Sequence, residues 1–457
     1  MPPAKFLVFA LLAGLGAAIA TAQPAAFGEG QAATLGIIFV IIGLWSTAIL
    51  PNYMASLVLF CALLIPGLAE PSTVFAGFTS TAMWLIVAGF VIGAAIRTTG
   101  LGQRIGAAVA PHLSKSYTAL IAGLVILGAL LGFLMPSSMG RATVLMPLGL
   151  ALADALGLAP GSKGRTGVAV TTAMAATMPS FAILPANVPN MVLIGASENI
   201  LGIHISYTDY LALHYPILGL GKAALMTWLL LRLFPVDQEI AAQNSAEPAP
   251  PSPAQTRLLV MLLAVLALWA TDRIHGVSPA WIGLAAATLL LMPRVGFVRP
   301  DEFRQAVDFP TLLFIGGVLA MGTVVSASGL GETLAPLVIG ALPLSPGADF
   351  LNFMSLSVFA AASGFLTTMA GLPAVLTPFA PDLAQATGFS TEAAMMTQVV
   401  GFSTIFLPFQ MPPLILAMSL AKEPVRHLGR PLLALGALTV LVLMPLDFLW
   451  WKLLGMI

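Results

Sequence analysis

Two short polar segments interrupt long apolar stretches of this sequence, and both carry side chains that could hold an anion. The first contains Ser137, Ser138 and Arg141, and the second contains Thr367 and Thr368. A guanidinium group binds a carboxylate or a sulfate through two parallel hydrogen bonds. Hydroxyl groups at a turn stand where the N–H groups of a following helix can also meet a negative charge. The two segments therefore predict a binding site for a small anion.

Each of these side chains also has a structural interpretation. An arginine deep in a membrane is costly and is usually functional. Arg141 could nevertheless satisfy the carbonyl groups of a turn, or reach the cytoplasmic surface. The four hydroxyl groups could be ordinary helix N-caps. We expect Arg141 to bind the substrate, and both interpretations of the hydroxyl groups stay open.

Three amide side chains lie between closely spaced prolines. Asn187 and Asn190 belong to the segment LPANVPN, and Gln410 belongs to the segment LPFQMP. Proline interrupts a helix and frees backbone groups that need new partners. The three amides could therefore bind substrate or satisfy the broken backbone. Four ionisable residues that follow the first segment could carry protons or could be polar loop residues near the outer surface: Glu198, His204, Asp209 and His214.

The composition requires that lipid, and not water, surrounds most of the chain. Of its 457 residues, 59% are hydrophobic and 8% are charged, whereas soluble domains carry about 25% charged residues. The formal net charge of zero argues against a nucleic-acid partner. Cys61 is the one cysteine, so a disulfide within the chain is excluded. The sequence has no recognisable nucleophile with a base and no nucleotide-binding motif, so we expect neither an enzyme nor a cofactor.

The apolar runs predict an all-α polytopic membrane protein with about eleven transmembrane helices. Loops rich in Lys and Arg alternate with loops that lack them, which places the former in the cytoplasm and the C-terminus outside. By the same rule, 116–156 and 350–387 each leave and return on one side, as re-entrant hairpins. The predicted domains are a first helix or signal-like segment with its outer loop at 1–33, a first repeat at 34–235, a cytoplasmic linker at 236–256 and a second repeat at 257–457.

The two halves share short motifs in the same order. Thr-Gly-Leu-Gly at 99–102 matches Ser-Gly-Leu-Gly at 328–331, and the proline segments at 184–189 and 407–412 match each other. Since one hairpin enters from inside and the other from outside, the repeat is inverted. Inverted repeats with broken helices are typical of secondary transporters, whose sites lie near the midplane.

These motifs resemble the divalent anion/sodium symporter family, whose members transport dicarboxylates, citrate or sulfate. The resemblance begins at 45–51 (WSTAILP), continues through 75–78 (FAGF) and 99–105, and follows the family order through the hairpin turns and helix breaks. It implies a retained first helix at 6–22, a homodimer, and an elevator motion of a transport part against a scaffold.

The resemblance also implies a Ser-Asn-Thr motif that holds sodium and substrate at each hairpin turn. The matching positions here read Ser137-Ser138-Met139 and Thr368-Met369-Ala370. Methionine supplies no hard oxygen ligand for sodium, so sodium coupling is doubtful, and sodium and protons both stay open as the coupling ion. The charge of Arg141 could replace the charge that sodium supplies in relatives.

We therefore expect a secondary active transporter of a small di- or trivalent anion in the plasma membrane. The alternatives are an ion antiporter or a metalloid-oxyanion efflux protein of the same architecture, and an uncoupled channel-like or regulatory relative.

Overall fold

The computed structural model describes residues 3–236, 250–365 and 369–457, and the part of the chain that it describes folds into helices without a β-strand. The helices of the first half, α1 to α13, are Pro3–Ala22, Gln31–Thr47, Asn52–Leu64, Pro71–Val74, Ala76–Thr79, Thr81–Thr99, Leu101–Leu113, Tyr117–Leu134, Ser138–Ala155, Lys163–Ala175, Val188–Ala196, Tyr207–His214 and Lys222–Leu233. Those of the second half, α14 to α26, are Pro253–Ala270, Asp272–His275, Pro279–Leu291, Pro300–Ala306, Phe309–Ala327, Leu330–Gly340, Asp349–Ser363, Leu372–Leu376, Ala380–Thr387, Thr391–Phe402, Pro412–Leu420, Gly429–Leu438 and Met444–Leu453.

The protein is a multi-pass membrane protein. Within the described ranges, seven helices are long and apolar enough to cross a bilayer: Lys5–Ala22, Thr81–Thr99, Tyr117–Leu134, Tyr207–Leu233, Pro253–Ala270, Phe309–Ala327 and Val425–Leu453. Shorter apolar helices, such as α2 and α16, accompany them. The all-α membrane fold predicted from composition is confirmed. The count of eleven spanning helices and the re-entrant course of the hairpins stay predictions.

Helix ends recur at matching places in the two halves. Gly100 and Gly329 both have φ of 69°, a left-handed conformation that glycine adopts without a steric cost. They separate α6 from α7 and α18 from α19. The TGLG and SGLG motifs therefore mark the same turn between a long helix and a shorter one.

A glutamine near the start of each half forms a hydrogen bond with the other half. The side-chain amide of Gln31, at the start of α2, donates to the Ser328 carbonyl at 2.8 Å. That of Gln255, in the first turn of α14, donates to the Thr99 carbonyl at 3.0 Å. Both carbonyls lie at helix C-termini, where backbone acceptors lack partners within the helix. Each half thus caps a helix of the other, and α3 packs on α18 just as α16 packs on α6.

Prolines break one helix in each half. In the first half, α10 ends at Ala175 and α11 begins at Val188, with short 3₁₀ turns at Pro179–Ala182 and Leu184–Ala186 between them. In the second half, α23 ends at Phe402 and α24 begins at Pro412. We refer to 176–187 as the first break and to 403–411 as the second break. The predicted broken helices are present in the structure.

The two predicted hairpins differ in their number of helices. The first limb and second limb of 116–156 are α8 and α9, joined by residues 135–137. In 350–387 the first limb is α20, and α21 and α22 follow. The bounds of the four predicted domains stay predictions. The 236–256 linker lies partly outside the described residues, and the helix at 3–22 packs closely on α2, where Gly16 faces Gly36.

Candidate functional site

Arg141 joins the first hairpin to the first break. Its side chain is fully buried near the start of α9. The Nε group donates to the Ala176 carbonyl at 2.8 Å, and Nη1 donates to the carbonyls of Met135 and, at 3.0 Å, Ala186. Nη2 donates to Ser138 Oγ at 2.8 Å. One guanidinium thus holds the end of α8 and both ends of the first break.

The hydroxyl groups of the first hairpin turn cap the helix and orient the arginine. Ser137 Oγ accepts a hydrogen bond from the Gly140 N–H at 3.1 Å, so Ser137 is the N-cap of α9. Ser138 is buried and bonds Arg141. Thr367 and Thr368, the predicted counterparts at the second turn, lie outside the described residues.

Asn187 and Asn190 satisfy backbone that the first break frees. Asn187 Oδ1 accepts from the Asn190 N–H at 3.1 Å, which makes Asn187 the N-cap of α11. The Asn190 amide donates to the carbonyls of Ser180, Phe181 and Ile183 at 3.3, 3.1 and 2.8 Å. Its Oδ1 atom is buried and has no hydrogen-bond partner among the described residues. That oxygen can accept a hydrogen bond but cannot donate one to an anion.

Gln410 joins the second hairpin to the second break, as Arg141 joins the first hairpin to the first break. It is buried, and its Oε1 accepts from the N–H groups of Phe406 and Leu407, both at 2.9 Å. Its Nε2 donates to the Gly364 carbonyl at 3.0 Å, at the end of α20. The side chain therefore links the first limb of the second hairpin to the second break.

The electrostatic field of this region is positive. Arg141 bonds neutral carbonyls and a hydroxyl, and across residues 3–236, 250–365 and 369–457 no carboxylate pairs with it. The N-termini of α9 and α11 begin beside it, each with a partial positive charge. A fully buried cation without a counter-ion is unfavourable. A bound anion would supply the missing negative charge, and one Nη2 N–H has no partner in the described part of the chain.

The ionisable residues that follow the first break separate into two places. Glu198 accepts from Thr81 Oγ1 at 2.6 Å and contacts His204 at 3.2 Å, beside a cavity of about 600 Å³. Asp209 pairs with Arg273, which lines the same cavity. His214 is fully buried and does not line this cavity. The structure therefore brings three of the four residues to one cavity.

Two buried charges inside long apolar helices were not predicted from the sequence. Lys222 and Asp447 are 1% and 0% exposed, in the last long helix of each half. The signal was present, because each is a single charge inside an apolar run. The basic residues of the loops were used to orient the chain, whereas charges inside spans were weighed only at the turns.

No group of three or more His, Cys, Asp or Glu side chains in the described ranges could hold a metal ion. The oxygen atoms near the breaks are backbone carbonyls, hydroxyls and amides, which can contact a substrate as well as an alkali cation.

The fold and this polar centre define a membrane transporter with two broken helices. A family model described as the transmembrane region of sodium:sulfate symporters matches residues 5–457, and the chain belongs to that family. The predicted family membership is therefore confirmed.

Individual relatives agree with this. The chain is 28% identical to dicarboxylate transporter 2 of spinach (Spinacia oleracea) chloroplasts over 48% of this chain and 41% of the relative. It is 21% identical to the L-tartrate/succinate antiporter of Escherichia coli K12 over 82% of this chain and 79% of the relative. The solved structure of the Alcanivorax borkumensis YdaH transporter shares the fold, with a TM-score of 0.58 at 19% identity over 89% of this chain and 99% of that chain.

Proposed function

We propose that this protein is a secondary active transporter of a small dicarboxylate or a similar divalent anion. The observation that carries the proposal is the fully buried Arg141, which has no acidic partner in the described structure and lies at the N-terminus of α9. The names of two relatives, a dicarboxylate transporter and an L-tartrate/succinate antiporter, point to the same substrate class. A dianion fits a site that combines one guanidinium with converging helix N-termini.

The substrate site lies between the two breaks and the two hairpin turns. Ser138 fixes the guanidinium by accepting its Nη2 hydrogen bond, and the remaining Nη2 N–H is directed to the substrate. The hydroxyl groups of Thr367 and Thr368 complete the set of groups that donate to the anion, and Asn190 Oδ1, which only accepts, can receive a hydrogen bond from a hydroxyl group of the substrate. Asn187 and Gln410 hold the breaks in shape through their backbone contacts. This assignment divides the predicted site into groups that bind the anion and groups that position them.

Coupling to sodium is not part of the proposal, since the turns place Met139 and Met369 where relatives carry oxygen ligands. The family resemblance leads us to propose an elevator motion, a homodimer and a location in the inner membrane. The distribution of basic residues leads us to propose a cytoplasmic linker and a C-terminus on the outer side.

The test is counterflow in proteoliposomes. Vesicles loaded with unlabelled succinate, L-tartrate, sulfate or citrate are diluted into radiolabelled succinate, with sodium or potassium as the cation. We expect labelled succinate to rise transiently above its equilibrium level in vesicles loaded with a dicarboxylate, and equally in both salts. A succinate level that never exceeds equilibrium, in loaded and empty vesicles alike, would indicate the uncoupled alternative. Absence of entry with every anion would refute the proposal.

A further inference from the structure

A second polar centre lies apart from the anion site, between the last long helices of the two halves. Lys222 belongs to the helix Tyr207–Leu233 and Asp447 to the helix Val425–Leu453. Each helix contains one π-helical segment, Tyr215–Gly221 and Thr439–Leu443. The two segments contact each other, and π-segments inside α-helices are frequent at functional sites.

Asp447 is buried in an environment that does not satisfy a carboxylate. The residue is 0% exposed, and neither of its oxygens forms a hydrogen bond of ordinary geometry in the described ranges, where the indole of Trp451 is its polar neighbour. The contrast is Asp272, a buried carboxylate that accepts bonds from Ser206 Oγ, the Tyr207 N–H and Thr208 Oγ1. A buried, unpaired carboxylate is stable only when it gains a positive partner or a proton.

Lys222 can supply the positive partner but is engaged elsewhere. The segment Tyr215–Gly221, which directly precedes Lys222, packs against α26, the helix that contains Asp447. The Lys222 Nζ atom, however, donates to the Ser403 carbonyl at 2.8 Å and to Ser403 Oγ at 3.1 Å. Ser403 follows the last residue of α23, where the second break begins. The ammonium therefore caps the end of α23 at the start of the second break and forms no ion pair with Asp447 within the described ranges.

Other titratable groups face this pair from the packed helices. His214 is 0% exposed, and both of its ring nitrogens lack partners in the described structure. It contacts Tyr210 and Trp451 with ring centroids 4.6 and 5.8 Å apart. Tyr215 lies on the same helix as His214. At the far end of α26 the Lys452 ammonium and the Asp349 carboxylate form an exposed ion pair.

We infer that Asp447 and Lys222 form a proton-binding site that couples proton movement to anion transport. With a proton on Asp447, the carboxyl group is neutral and Lys222 holds the end of α23, as the structure shows. Loss of that proton leaves a carboxylate, which draws the ammonium from Ser403 and releases the second break. His214 lies on the same helix as Lys222, eight residues nearer the outer end, a separation of about 12 Å along the axis. It provides the proton path from that side.

This inference rests on the proposed anion transport, and the experiment separates the two. Proteoliposomes with trapped pyranine are assayed for succinate counterflow, which needs no net proton movement, and for succinate accumulation under an imposed pH gradient with the membrane potential clamped. One coupled proton and a gradient of one pH unit sustain about a tenfold accumulation. We expect the wild type to accumulate succinate and to acidify the lumen.

The variants are Asp447→Asn and the matched control Asp349→Asn. We expect Asp447→Asn to keep counterflow and to lose both accumulation and acidification, whereas Asp349→Asn keeps all three. Accumulation by a folded Asp447→Asn protein equal to that of the wild type would overturn the inference.

Infrared difference spectra of detergent-purified protein, taken between acidic and alkaline buffers, test the site without any anion. A protonated carboxyl band that disappears in Asp447→Asn, and moves in Asp447→Glu, supports the proton site even where counterflow fails. If Asp447→Asn does not fold, the shifted carboxyl band of Asp447→Glu assigns the band to this residue instead. A wild-type difference spectrum identical to that of a folded Asp447→Asn protein would overturn the inference, whatever the transport data show.

Discussion

Replacement of Arg141 by glutamine separates the two roles that the structure gives this residue. The guanidinium donates four hydrogen bonds, to the carbonyls of Met135, Ala176 and Ala186 and to Ser138 Oγ. Glutamine keeps a donor amide but removes the charge and cannot reach all four acceptors. Arg141→Gln therefore tests both the packing of the first hairpin on the first break and the attraction for an anion.

The loss of stability follows from the bonds that glutamine cannot make. A buried acceptor that loses its partner costs about 1–3 kcal/mol. With two of the three carbonyls left without a donor, and part of the cost recovered by relaxation, we expect the free energy of unfolding to fall by about 2–4 kcal/mol. The protein should remain folded at low temperature, with a lower Tm.

The loss of affinity follows from the charge. An anion about 5 Å from the guanidinium, at an effective dielectric constant of about 20, gains about 3 kcal/mol for each negative charge. If desolvation cancels two thirds of the gain for a dianion, about 2 kcal/mol remains, which is about a 30-fold change in Kd. Arg141→Gln should therefore bind succinate at least about 30-fold more weakly than the wild type.

Succinate binding is measured by titration calorimetry on detergent-purified protein, and folding is followed by Tm and by size-exclusion chromatography. Arg141→Lys is the matched control because it keeps the charge and loses the planar fork, so we expect an affinity between those of the wild type and Arg141→Gln. Ser138→Ala removes one acceptor and no charge. A folded Arg141→Gln protein that binds succinate within about threefold of the wild type would refute the role of the charge.

Three further predictions concern packing and ions. Gln31→Ala and Gln255→Ala should each lower the free energy of unfolding by about 1 kcal/mol. The double variant should lose the sum of the two values, because the two hydrogen bonds share no residue. Changes in Tm much smaller than this would argue against capping between the halves. Gly128→Ala should lower the free energy of unfolding by about 1–3 kcal/mol, because a Cβ atom at this position would overlap the Ala175 carbonyl. Gly340→Ala is the control: a Cβ atom there has no neighbour within 4 Å, so Tm should stay unchanged or rise slightly. Stabilisation by succinate in a thermal-shift assay should be equal in sodium and in potassium chloride, and a sodium requirement would show that the altered turns still build a sodium site.

The sequence was sufficient for the fold class and the family. Apolar composition excluded a soluble protein, and the ordered motifs located both helix breaks and the glycine turns at Gly100 and Gly329. These features are local, so they are visible in short windows of sequence. The capping of each half by Gln31 and Gln255 was not predicted, because it joins segments about 150–300 residues apart whose approach depends on the whole packing.

The positions of the candidate residues relative to the turns and breaks followed from the sequence, whereas their contacts did not, and their role in binding stays a prediction. Arg141, Asn187, Asn190 and Gln410 do lie at the turns and breaks, but each makes more contacts to backbone than a pure ligand would. Sequence shows that prolines free backbone groups, yet it does not show which side chain reaches them. Asp447 was not predicted for a related reason. The role of a single charge in an apolar run depends on its partner, which lies on another helix.

Arg141 and Gln410 make equivalent contacts in the two halves, and these contacts limit the movements that could open the site to one side of the membrane and then to the other. Each joins the first limb of a hairpin to the break of its own half, so hairpin and break cannot separate without the rupture of buried hydrogen bonds. Opening at a hairpin alone would therefore be costly in either half. Movement of both hairpins and both breaks together, against helices such as α3 and α16, leaves those bonds intact. The bonding pattern supports the elevator motion that we propose over local gating. In the proposed site, the difference in charge between Arg141 and Gln410 gives the first half the stronger attraction for the anion.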